Sequence, residues 1–236
     1  DLEYLRNHKL WEMIKDATEF LMKWRDEETK LPKPISYDLW EERKGIFTYS
    51  SSAVYGGLLG ASRIAHNLGK LGFSKRWHEG AEEIKEAIQR FLWNPNTQRF
   101  RRSIKPEDDT IDSSLFGIWF FDVLPPSDER VRSTMKAIED HLLKERGVFR
   151  YQGDNYQGYE NPWIICTLFL AEYYLWINET KKAIRLFHLV ADNALETYLL
   201  PEQVDSNGNP LSVVPLTWSH AQYLIAFKQL AKKLAK

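Results

Sequence analysis

The chain has 236 residues, a formal net charge of −1, 43% apolar and 28% charged residues, a globular balance that allows one domain with a large core and excludes a disordered chain. With no basic excess, neither nucleic acid nor an anionic membrane is expected as a partner, and no run of about 18 apolar residues marks a membrane span. The lone cysteine, Cys166, lies in the apolar run Trp163–Leu170, so it reads as a packed core thiol, nothing marks an oxidising compartment, and a cytoplasmic setting is favoured.

The charged opening Asp1–Arg6 lacks the apolar core of a leader peptide. Leu10, Ile14, Ala17, Leu21 and Trp24 then recur at steps of four and three, the stripe of an amphipathic helix. A long loop, Asp26–Phe47, separates it from Ser51–Ala65, which is apolar or small nearly all round and predicts a helix buried on every side. The same alternation repeats down the chain. Ile84, Ile88 and Phe91 are amphipathic, the loop Asn94–Thr110 is long, and Ser113–Leu124 is apolar. Val131, Met135, Ile138 and Leu142 are amphipathic, the loop Lys144–Asn161 is long, and Pro162–Ile177 is apolar. Ala183, Phe187, Val190 and Ala194 are amphipathic, the loop Tyr198–Val214 is long, and Pro215–Phe227 is apolar. This is a repeat of roughly 50 to 60 residues built from helical hairpins, eight helices in all.

The end signals agree with these segments. Pro162 and Pro215 are placed as first-turn prolines, Ser127 and Asp128 open the helix of Val131, and Asn178 with Thr180 opens the next. The connections Gly69–Gly72, Pro125–Asp128 and Ile177–Thr180 are short. The other four are long, and loops of that length without structure of their own are usually functional. In a ring of hairpins all four fall on one end, which gives a candidate active face. A helical solenoid scaffold that binds protein is the alternative architecture.

Aromatic residues make up 14% of the chain, with nine Trp, and aromatic faces suit stacking on sugars. The first long loop carries Tyr37, Asp38, Trp40, Glu41, Glu42 and Arg43. The third carries Arg150, Tyr151, Asp154, Tyr156, Tyr159 and Glu160. The fourth carries Glu202, Gln203, Asp205 and Ser212 and leads into Trp218 and His220. Glycoside hydrolysis needs one carboxyl that stays protonated to donate to the leaving oxygen and another that stays ionised. A carboxyl against a Trp face is partly desolvated, which raises its pKa and suits it to be the acid. No nucleophile elbow, phosphate loop or zinc-binding His pair is present. His8, His66, His78, His141 and His188 read as surface or core residues, and His220 as a satisfied core histidine.

The blocks Tyr37–Glu42, Asp112–Val131, Glu160–Tyr174, Pro201–Asp205 and Pro215–Ala221, in this order and spacing, resemble glycoside hydrolase family 15, the glucoamylases, glucodextranases and some trehalases. The resemblance implies an all-α (α/α)6 toroid. It implies an inverting hydrolase that releases glucose from the non-reducing ends of α-glucosides, with Glu41 as general acid and Glu202 as general base. It further implies that Glu42 binds the leaving sugar, that Ser212 supports the base and that Arg150 and Tyr151 bind substrate. Trp40 and Trp163 would line the cavity, with Tyr37, Asp38 and Trp218 beside them. Inversion requires carboxyl groups roughly 6.5–9.5 Å apart. No metal or organic cofactor is implied.

A closed toroid has twelve helices, so residues 1–236 are expected to be the C-terminal two-thirds of such a catalytic domain. An N-terminal segment or a second chain would complete the ring. The absent part would supply the Arg–Asp pair for the first glucose and a Tyr near the attacking water. A carbohydrate-binding or regulatory module of the same fold without turnover is the alternative function.

Overall fold

The apolar stripes become helices wherever their period runs for three turns or more. The computed structural model describes Glu3, Tyr4 and residues 10–235, with the remainder of Asp1–Arg6 and His8 lying outside the described residues. The chain divides into two compact units, Asp1–Asp109 with Gly117–Leu124, and Thr110–Phe116 with Pro125–Lys236.

The first unit holds α1 (Leu10–Lys23), α2 (Thr48–Asn67), α3 (Leu71–Ala87) and the short α4 (Gly117–Phe120). Its core forms where α1 lies against the α2–α3 hairpin. Ala61, Ala65 and Trp77 are buried there, and Trp11, Ile14, Met22 and Phe73 pack on them. Trp77 is fully buried and its indole N–H donates to Glu19 Oε1 at 2.8 Å. A Trp buried this way is worth about 3–5 kcal/mol against alanine. A Cβ at Gly80 would meet the flexible end of the Met22 side chain, which packs there between α1 and α3.

Two expectations for this unit change. Helix α2 is not enclosed: Ser51, Ser52, Tyr55, Leu58, Ala61, Ser62 and Ala65 form its buried face, while Gly57 and Arg63 are exposed. The single helix expected over Ser113–Leu124 is a 3-10 turn, Ser113–Phe116, running into α4. Asp122, at φ 61°, ends that run, with the Val123 and Leu124 N–H groups both turned back to Ile118 O. Burial of Ser113–Trp119 is as expected.

The second unit holds α5 (Glu129–Leu142), α6 (Ile164–Trp176), α7 (Thr180–Asp192) and α8 (Thr217–Leu234). Asp128 caps α5, its carboxylate accepting the Arg130 N–H at 2.9 Å. Helix α6 meets the prediction of all-round burial, with Ile164 through Leu175 buried. Phe116 stacks on Phe169 with ring centroids 3.7 Å apart. Cys166 is buried beside Ser113, whose hydroxyl donates to Sγ at 3.1 Å, and burial pushes the thiol pKa up.

Helix α8 does not meet it. Only Ser219, Gln222, Ala226 and Leu230 are buried, and Leu224, Ile225 and Phe227 stand exposed, because no described residue covers that face. The end signals also move. Pro162 and Pro215 each precede the helix by two residues, and Trp163 and Leu216, in extended backbone, are the N-caps. Asn178, at φ 65°, closes α6 instead of opening α7, the left-handed conformation that Asn tolerates.

The long loops are not structureless. Each unit has two short antiparallel hairpins: β1 (Trp93–Asn94) with β2 (Arg99–Phe100), β3 (Ser103–Ile104) with β4 (Glu107–Asp108), β5 (Leu143–Lys144) with β6 (Gly147–Val148), and β7 (Gln203–Val204) with β8 (Pro210–Leu211). Within each unit the two long loops meet, as a common face requires. In the first, Phe47 bridges Ser103 and the Thr48 N–H donates to Arg102 O at 3.0 Å. In the second, Trp163 bridges both Val148 and Gln203.

Candidate active site

The loop before α2 is a turn closed by one carboxylate. Tyr37 bridges Lys44, and the Asp38 N–H donates to Arg43 O at 2.9 Å. Asp38 is buried, and its Oδ1 accepts the Glu42 N–H at 2.9 Å and the Arg43 N–H at 3.4 Å. The Asp38 side chain thus builds the loop from inside. At its tip Glu41 takes φ 58°, a left-handed backbone that costs a non-glycine residue on the order of 1 kcal/mol and is found where surroundings over-determine it. Trp40 is half-buried, while Glu41 and Glu42 are exposed, so the shielding expected from Trp40 is not present around Glu41. Tyr37 is exposed with Lys44 Nζ 5.1 Å from its ring. Gly45 closes the loop, since a Cβ there would come 2.7 Å from Lys105 O.

In the second unit, β6, Trp163, β7 and β8 lie side by side, and the candidate residues sit just beyond their ends. Glu202 is fixed from four directions. Its N–H donates to Val213 O at 2.9 Å and its carbonyl accepts the Ile164 N–H at 3.1 Å. On the preceding residues, the Ser219 hydroxyl donates to Pro201 O at 2.8 Å and His220 Nε2 accepts the Leu200 N–H at 2.9 Å. His220 is therefore a satisfied histidine, its Nε2 occupied by that N–H. The Glu202 side chain is half-buried, and its Oε2 is enclosed without a hydrogen-bond partner.

Arg150 is buried and pairs with buried Asp154 through two bonds, Nε to Oδ2 at 2.8 Å and Nη2 to Oδ1 at 2.7 Å. Three rings surround its guanidinium, at 4.7 Å for Trp163, 5.0 Å for Tyr156 and 5.1 Å for Tyr151. The segment before α4 pins this group, with the Ser113 N–H donating to Arg150 O at 2.7 Å and Asp112 bridging Tyr151. Trp218, on the first turn of α8, is 38% exposed, its ring 6.3 Å from that of Phe169. Ser212 is exposed at φ 61° beside Val213, and its hydroxyl makes no hydrogen bond to Glu202 among the described residues.

Two residues join these only in the folded chain. Asp154 is the partner of Arg150, and the spacing of four is its signal in the sequence. Gln203 is fully buried with both amide atoms unmatched, and only its place beside Glu202 pointed to it. Among the described residues no group of three or more His, Cys, Asp or Glu is arranged to hold a metal ion, and no helix is long and apolar enough to cross a membrane.

A bacterial glucoamylase complexed with acarbose shares the fold, with a TM-score of 0.82 at 19% identity over 97% of this chain and 39% of that one. The hairpins are accordingly of the all-α, (α/α)6 toroid class, of which this chain carries part. An uncharacterized glycosyl hydrolase of Methanocaldococcus jannaschii is 36% identical over 208 residues, 80% of this chain and 33% of that protein. A trehalase of Mycobacterium tuberculosis is 28% identical over 222 residues, 89% of this chain and 31% of the trehalase. The sequence pattern of glycosyl hydrolases family 15 matches residues 5–228, and the chain belongs to that family. It spans about a third of the length of the curated relatives it matches.

Proposed function

We propose that this chain carries the acid–base pair of an inverting, exo-acting hydrolase that releases glucose from the non-reducing ends of α-glucosides. Glu41 protonates the glycosidic oxygen as its bond to the anomeric carbon breaks. Glu202 takes a proton from water as that water attacks the opposite face of the same carbon, so the sugar leaves as the β anomer. The observation that carries this reading is Glu202 itself: a backbone held from four directions around a carboxylate with one buried, unmatched oxygen. Arg150, locked by Asp154 among three rings, supplies a rigid polar and aromatic wall for a sugar.

An N-terminal segment or a second chain completes the ring in this account. The exposed Leu224, Ile225 and Phe227 on α8, and Met13 and Phe20 on α1, support it. The relative named trehalase makes trehalose the first substrate to test beside maltose. The test is proton NMR of the sugar first formed by the assembled enzyme. On trehalose, β-glucose from the attacked half and α-glucose from the leaving half are expected in equal amounts, and α-glucose alone would overturn the inverting assignment. Glu41→Gln and Glu202→Gln should each lower kcat on the order of 10²–10⁴-fold. The second reading is a module of the same fold without turnover. It predicts sugar binding but no glucose release from either substrate.

A further inference from the structure

The α2–α3 hairpin carries an open surface groove of about 550 Å³ that the proposed hydrolysis does not use, with Arg63, His66, Lys75 and His78 exposed along it and Ser62 and Ser74 at its floor. The lining follows from helix periodicity. Arg63, His66 and Asn67 stand at steps of three and four on α2, and Leu71, Ser74, Lys75 and His78 do the same on α3, giving two facing stripes. None of the lining residues is acidic, in a chain whose formal net charge is −1.

The basic side chains are uncommitted. Lys75 has only a 3.9 Å surface contact with Glu79, and the side chains of Arg63, His66 and His78 make no hydrogen bond or ion pair among the described residues. The hydroxyl pair is preset: Ser62 Oγ donates to Ser74 O at 2.8 Å and lies 3.3 Å from Ser74 Oγ. The helix ends reinforce the sign. Helix α3 opens at Leu71 on the groove wall with no acidic residue in its first turn, so its positive end is uncompensated. The last carbonyls of α2 are covered, with Ile64 O, Ala65 O and His66 O accepting the N–H groups of Leu68, Lys70 and Gly69.

We infer that this groove is an anion site selective for a phosphate group, either free or carried by a sugar. Arg63 is the one side chain here able to bind two phosphate oxygens side by side, with Lys75 as a second cation and the two imidazole N–H groups as further donors. The groove adjoins the C-terminal half of α2, whereas the loop of Glu41 leads into its N-terminus at Thr48. At 1.5 Å per residue the two lie roughly 20–25 Å apart along the helix, so this is not a sugar subsite of the catalytic loops.

Calorimetric titration of the chain with inorganic phosphate, and in a parallel arm with glucose 6-phosphate, tests the inference against chloride at matched ionic strength. Saturable binding is expected in at least one arm. Phosphate binding alone identifies a free-anion site, and binding of the sugar phosphate alone identifies a phosphosugar site. Arg63→Ala with His78→Ala should weaken binding roughly tenfold or more. Arg76→Ala, which removes an exposed cation outside the groove lining, should leave it unchanged. No binding beyond the chloride control in either arm, or equal affinity in the double variant, would overturn the inference. These outcomes are independent of glucose release.

Discussion

The loop that carries Glu41 and the loop that carries Glu202 are both fixed by backbone hydrogen bonds, but the partners come from different distances along the chain. Around Glu41 the anchors are local: Asp38 accepts from residues four and five positions on, and Tyr37 bridges Lys44. Around Glu202 they come from α6, from Val213 two residues past β8, and from α8. The first carboxyl is left exposed on a left-handed residue, and the second is half-enclosed with an unmatched oxygen. A base must hold a water in one place, which favours rigid, long-range anchoring. An acid that follows a leaving group is served by a turn whose shape is set within itself.

The comparison predicts that breaking the second unit costs more than breaking the turn. The largest effect is expected for Asp154→Ala. It leaves the Arg150 guanidinium buried without its carboxylate and should cost about 3–5 kcal/mol in urea unfolding.

Next is Glu172, buried in α6 and bonded by the Gln222 and Gln229 amides. Burial pushes its carboxyl up to about 7 from an ordinary 4.5, while the two amides pull the other way. The folded chain keeps a proton there that the unfolded chain releases, so stability falls as pH rises from about 4.5 to about 7. That loss is on the order of 3 kcal/mol, and Glu172→Gln should flatten the slope in urea midpoints measured across the same range.

The smallest effects sharpen the comparison most. Ser219→Ala and Asp38→Ala should each cost about 1 kcal/mol. Hydrogen exchange should separate them. Loss of Asp38 should loosen only residues 38–43, whereas loss of Ser219 should loosen the segment around Glu202. Equal spreading in both variants would remove the distinction.

Much of this was legible in the sequence because a 3.6-residue period repeats for several turns. Leu10 to Trp24 and Val131 to Leu142 are examples, and twelve successive residues of α6 are buried as its composition demands. Helix α8 was misread because apolar composition reports what a face needs, not what covers it. The hairpins Leu143–Val148 and Gln203–Leu211 were invisible, since two-residue strands carry no period. The motif residues were legible one loop at a time. The cage around Arg150 was not, because Tyr156 and Trp163 reach it through the bridges of Val148 and Gln203 to Trp163, which only the folded loops create.

The division of labour between the two carboxyl groups can be read from one measurement. The assembled enzyme and its Glu41→Gln and Glu202→Gln variants would be compared on α-glucosyl fluoride, whose leaving group needs little protonation. The account predicts that Glu41→Gln recovers most of its lost rate on this substrate while Glu202→Gln stays on the order of 10²–10⁴-fold below the parent. Recovery by Glu202→Gln instead, or full activity of either variant on maltose, would contradict it.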